Sequence, residues 1–95
     1  MNPFLFKPST HLTFDTVASV RKAVYKQVVT HADSAFVLDL SEVVHCDSAG
    51  LALLIEVKKL CRQQGKSLNV VGVSSNIHAL AEFCGVNDIL KTNQA

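Results

Sequence analysis

Ala35-Phe36-Val37-Leu38-Asp39-Leu40, then Asp47-Ser48-Ala49-Gly50, then Leu51-Ala52-Leu53-Leu54-Ile55: this succession decides how the chain folds. The first run is short, apolar and β-prone, as a buried strand is, and the last is the start of an apolar helix. Ser41 to Cys46 crosses between them to the acidic, hydroxyl-bearing turn. A hydroxyl at such a strand-to-helix turn sits beside free N–H groups and the positive end of the helix dipole. A carboxylate, a partner's acceptor or an added phosphate is stabilised there. Ser48 is therefore read as a cap, a switch, or both.

Working outward, the long helix is predicted to stop near Gln64-Gly65, where glycine suits a left-handed cap. Leu68-Asn69-Val70-Val71-Gly72-Val73 is the next strand, and Ser75 or Asn76 caps a helix over Ile77 to Cys84 that Gly85 ends before Val86, Ile89 and Leu90. Upstream, Val17, Val20, Val24 and Val28 recur at three- and four-residue spacing. They predict a helix to about Thr30, capped by Asp15 or Thr16. Phe4 to Phe14 alternates loosely around Pro8 and reads as two short strands or one hairpin. The strand-helix-strand-helix (βαβα) order of the second half implies parallel pairing. The expectation is an α/β domain, residues 1–95, with a mixed sheet of about four strands, helices packed against it and a frayed tail at 91–95.

The chain has 95 residues, 48% of them apolar, and nine Lys/Arg against eight Asp/Glu. This suits one core and argues against disorder and against a nucleic-acid stripe. Arg21-Lys22 with Lys26, and Lys58-Lys59 with Arg62, read as wet helix faces. Cys46, Cys61 and Cys84 are odd in number, form no C-x-x-C pair, and fit a reducing compartment. With no apolar run near the length of a membrane span and an N-terminus broken by Pro3 and Pro8, the expected location is the cytoplasm.

Catalytic and metal chemistry find little support. Ser48 lacks the G-x-S-x-G elbow, since Cys46 stands two residues before it. His45, Cys46 and Asp47 are consecutive on a turn, so their side chains diverge, and no second ligand cluster follows. Gly72 to Asn76 lacks the spacing and lysine of a phosphate loop. No catalytic residue, metal or cofactor is expected. Asp39 is read as holding loop N–H groups and, with Gly50, supporting the Ser48 turn.

Val37-Leu38-Asp39-Leu40-Ser41, Asp47-Ser48-Ala49-Gly50-Leu51, Gly65, Val70-Val71-Gly72-Val73 and Phe83-Cys84-Gly85-Val86 together resemble the STAS domain, named for sulfate transporters and anti-sigma factor antagonists. The resemblance spans about Ala35 to Leu90 and implies the STAS-like (SpoIIAA-like) α/β fold. Within the family the chain is most similar to the stand-alone MlaB type, on Gly50-Leu51-Ala52-Leu53-Leu54, Gln64-Gly65, Gly72-Val73 and Ala79-Leu80-Ala81. That implies a non-enzymatic subunit that binds the ATPase (MlaF-like) of a phospholipid-trafficking ABC transporter. Such a subunit lies at the inner membrane through its partner. Ser48-Ala49 stands where threonine-glycine is expected in that type. Asp47-Ser48 is equally what an anti-sigma factor antagonist carries, and there the resemblance implies phosphorylation of Ser48 by a partner kinase.

At about 100° per residue, Leu53, Leu54, Val57, Leu60 and Cys61 fall on one side of the long helix and are predicted to meet the sheet. Ser48, Leu51, Ala52 and Ile55 project the other way, with Lys59 and Arg62. The expectation is an exposed apolar patch centred on Leu51 and Ile55, with Asp47 and Ser48 at its edge and Lys59 and Arg62 as a charged rim. In the competing arrangement the N-terminal loop or the Ser41-Cys46 crossover covers Leu51 and Ile55.

Overall fold

The computed structural model describes residues 4–9 and 11–90. Three strands, β1 (Phe4–Phe6), β2 (Ala35–Asp39) and β3 (Ser67–Val71), form one sheet in the order β1-β2-β3. Both pairings are parallel, with Leu38 opposite Phe6 on one side and Val70 on the other. Helices α1 (Val17–Thr30) and α2 (Ser48–Gln63) make the two crossovers and pack on each other. Helix α3 (Ser75–Phe83) and a 3-10 turn, Asn87–Leu90, follow.

The α/β class and the order of elements are as expected. Among the described residues, however, the sheet has three strands rather than about four, and it is wholly parallel rather than mixed. The segment before α1 is not a hairpin. Its first part joins β2 in parallel, and Leu12 then makes a lone parallel bridge to Cys46. A hairpin needs two strands that face each other, and here both find partners downstream.

Alternation along β2 and β3 buries Phe36, Leu38, Leu68 and Val70, which the register places in rows on one face. With Val20, Val24 and Val28 of α1 and Leu53, Leu54, Val57 and Cys61 of α2 they form the core. All five α2 positions predicted to meet the sheet are buried. The opposite row, Leu5, Val37 and Asn69, is exposed or half-buried. Thr16 precedes α1 and Gln64 with Gly65 ends α2, as expected, whereas the cap of α3 is one residue earlier than read, Ser74 accepting the Ile77 amide at 3.2 Å.

Lys66 was not anticipated. It is 7% exposed, and its ammonium donates to the carbonyls of His31 at 2.7 Å and Asp33 at 2.6 Å. A buried ammonium needs oxygen partners. These two fasten the α1–β2 connection to the start of β3.

Candidate functional site

The head of α2 is built by its neighbours as much as by its own sequence. Leu12 donates to the His45 carbonyl at 2.9 Å, and Asp47 donates back to the Leu12 carbonyl at 3.1 Å. These bonds press the backbone of Leu12 onto the first turn of α2. A Cβ at Gly50 would lie 2.2 Å from Leu12 O and 2.8 Å from Cys46 Sγ. Glycine at position 50 is thus required by close approach of backbone, which is how it supports the turn.

Asp47, not Ser48, is the cap. Its Oδ1 accepts the amides of Ala49 at 2.9 Å and Gly50 at 3.1 Å, and its Oδ2 accepts the Phe14 amide at 3.0 Å. The Phe14 bond above all, joined by those of Gly50 and Ala49, holds the carboxyl below its ordinary aspartate value despite some desolvation. Ser48 is the first residue of α2, exposed, and its hydroxyl has no hydrogen-bond partner among the described residues. A phosphate on Ser48 would find the Ala49 and Gly50 amides already taken and the Asp47 carboxylate beside it. The anion cradle at this helix end is filled by the protein itself.

Asp39 supports a different turn. Its Oδ1 accepts the Ser41 amide at 2.9 Å, which lowers its pKa, and a Cβ at Gly72 would lie 2.6 Å from the same oxygen. It braces the end of β2 against the end of β3 and does not reach the Ser48 turn through any hydrogen bond among the described residues.

The patch predicted on α2 is corrected at its centre. Leu51 is 3% exposed and belongs to the core, and Ile55 is half-buried against it. More than one segment packs on α2, and at its first turn Leu12 lies against Gly50, next to Leu51. Lys58, two turns along the same flank as Leu51, donates to the Asp88 carbonyl at 3.1 Å, and the turn Asn87–Leu90 packs on α2 with Ile89 and Leu90 buried. Helix α2 is consequently buried around about half its circumference, wider than a single-layer stripe. Of the two covering segments weighed from the sequence, the N-terminal one reaches the first turn of α2 through Leu12. Ser48, Ala52, Lys59 and Arg62 remain exposed, and Asp47 is half-buried.

The other face of α2 meets α1. Arg21 Nε lies 2.8 Å from Glu56 Oε2, and the Arg21 guanidinium sits 5.2 Å from the centre of the Tyr25 ring. An inter-helix furrow runs here, flanked by Phe14, which is 80% exposed. The sequence placed the two basic clusters on separate wet faces. The structure joins their helices along one furrow, which no local signal in either helix announces.

Among the described residues no side chain is hydrogen-bonded to the Ser48 hydroxyl. Burial, and next the Asp47 charge, push the Cys46 thiol up to about 11, leaving it protonated near neutral pH. Among the described residues no group of three or more His, Cys, Asp or Glu side chains could hold a metal ion. No helix among them is long and apolar enough to cross a membrane.

Two helices layered on one face of a small parallel sheet, the second led by an exposed hydroxyl on a braced turn, define a module that presents a surface. Comparison with known proteins gives the family: the STAS family described as "Mlab, STAS domain" matches residues 8–91, and the chain belongs to it. The anti-sigma-B factor antagonist of Staphylococcus aureus (strain NCTC 8325 / PS 47) is 35% identical over 57 residues, 60% of this chain and 53% of that protein. The protein of the same name from Staphylococcus epidermidis is 33% identical over 57 residues. The chain spans about half the length of these curated relatives. A crystal structure of a sulfate transporter family protein from Wolinella succinogenes superposes with a TM-score of 0.73 at 19% identity, over 92% of this chain and 70% of that one. That likeness establishes the fold.

Proposed function

We propose that the chain is a non-enzymatic STAS subunit that docks the ATPase of an Mla-type ABC transporter and supports phospholipid trafficking. The observation that carries this reading is the extent of the family match, residues 8–91, under the Mlab description. It takes in α1 and the segment before it, the part of the chain that the sequence motifs reach only in outline. The ATPase meets the exposed side of the head of α2, through Ser48 and Ala52 and the rim of Lys59 and Arg62. Leu51 acts from beneath, holding the helix in place. The complex sits at the cytoplasmic side of the inner membrane through its partner.

A second reading, an anti-sigma factor antagonist switched by phosphorylation of Ser48, is favoured by the curated relatives of that name and by the free, exposed hydroxyl. A phosphate there adds about −1.5 to −2 charges beside Asp47 without entering the core. It would weaken docking and leave the fold intact.

Two purified candidates separate the readings: an Mla-type ATPase, and a histidine-kinase-like anti-sigma factor supplied with ATP. Co-elution with the ATPase, lost in Ser48→Asp or Ala52→Glu with the circular dichroism spectrum retained, supports the transporter role. Transfer of one phosphoryl group to Ser48 by the anti-sigma factor, with no ATPase binding, overturns it in favour of the second.

A further inference from the structure

Helices α1 and α2 carry a charge imbalance that the whole chain does not. Together they hold six of its nine Lys/Arg (Arg21, Lys22, Lys26, Lys58, Lys59 and Arg62) and one of its eight acids, Glu56. Lys58 is engaged with the Asp88 carbonyl, while the other five cations are exposed. The Arg21–Glu56 pair divides the inter-helix furrow in two. On the Ser48 side is a hollow of about 350 Å³ walled by Phe14, Val17, Ala18, Ala49, Ala52 and Leu53. On the other side is one of about 260 Å³ lined by Arg21, Tyr25, Glu56, Lys59, Leu60 and Gln63. The Arg21–Glu56 pair borders both hollows and is internally neutral, so the first is otherwise apolar and the second is left with the positive charge of Lys59.

We propose that this furrow docks an acidic amphipathic helix of the partner protein. An apolar side chain fills the first hollow, and a carboxylate meets Lys59 and Arg21 in the second. The proposal rests on the docking function above and specifies the chemistry of the surface that binds. From Ala52 to Lys59 is seven residues, or ~10.5 Å at 1.5 Å per residue, which two turns of a partner helix also span. A trough between two packed helices accepts a third by the same ridge-and-groove fit. A flat anionic membrane would suit a plane of cations, whereas here the charges flank a concave apolar floor. Ser48 is exposed and immediately precedes Ala49, which walls the apolar hollow, so negative charge added there repels the same acidic helix.

The test titrates the full chain with a synthetic amphipathic helix bearing leucines on one face and flanking glutamates, with its lysine-for-glutamate counterpart, and with vesicles containing phosphatidylglycerol. The glutamate helix should bind at least about tenfold more tightly than the lysine helix and weaken as salt rises. Lys59→Glu should lose about tenfold. Lys26→Glu, the same charge change on α1 outside both hollows, should lose much less. Equal affinity for the two peptides, an equal loss with Lys26→Glu, vesicle binding without peptide binding, or self-association abolished by Lys59→Glu overturns the proposal. ATPase binding that responds to Ser48→Asp but not to Lys59→Glu removes the furrow and leaves the docking function standing.

Discussion

The two ends of α2 are held by different physics. At its head, Asp47 takes an amide from Phe14, 33 residues away, and Gly50 lies against the Leu12 carbonyl so closely that a Cβ has no room. At its foot, the Gln64 and Gly65 amides bond back to Leu60, Cys61 and Arg62, and Gly65 turns at φ +69° with nothing within 4 Å of a Cβ built on it. The head is a tertiary structure and the foot a local one. Surfaces that must keep one shape for a partner belong at ends of the first kind.

Substitutions at four positions press on that contrast, from the largest effect down. Leu51→Glu, which would disrupt docking alone if the side chain were exposed, should abolish the cooperative unfolding transition. Leu51→Ala should cost about 2–5 kcal/mol in a denaturant titration. Retention of full stability by Leu51→Glu would restore the exposed patch. Gly50→Ala should lose about 1–3 kcal/mol, because backbone at Leu12 must give way, and should also weaken partner binding by displacing the Ser48 turn. Gly65→Ala has open space and only left-handed backbone to accommodate, so it should lose about 1 kcal/mol and leave binding unchanged. If the two glycine variants cost the same, the distinction between the ends fails.

Asp47→Ala should cost about 0.5–2 kcal/mol at neutral pH, comparable with Gly65→Ala, and is the most informative in acid. A carboxyl whose pKa is depressed by folding contributes stability that is fully present above its unfolded value, near 3.8, and is lost as pH falls through the lower folded value. Thermal melts from neutrality down to that range should show wild type losing its advantage over Asp47→Ala. A constant gap would mean that the cap acts without its charge. Asp39, lowered by the Ser41 amide, titrates in the same direction and is common to both proteins.

The same contrast explains what could be read from the sequence. Gln64-Gly65 and Gly85 lie close to where their helices stop because a left-handed glycine is a local signal. The apolar spacing of Val20, Val24 and Val28, and of Leu53, Val57 and Cys61, likewise reports the face turned to the sheet. Asp47, Ser48 and Gly50 stand out as a motif, but their division of labour depends on Leu12 and Phe14, which no spacing rule links to them. Leu51 was misplaced because a helical projection sees one partner surface and α2 has more than one. The parallel sense of β1 was hidden for a similar reason: its partner lies beyond α1.

Lys66 carries a consequence of another sort. Its ammonium is spent on two backbone carbonyls, so the shape of the His31–Ser34 connection does not depend on that lysine recognising any particular side chain there. A change of side chain at position 33 should therefore leave the loop on its path as long as the lysine stays, whereas His31 is also tied to Gln27 through a side-chain hydrogen bond of 3.1 Å. The course of one segment is thereby anchored by a side chain from the threshold of another strand of the sheet.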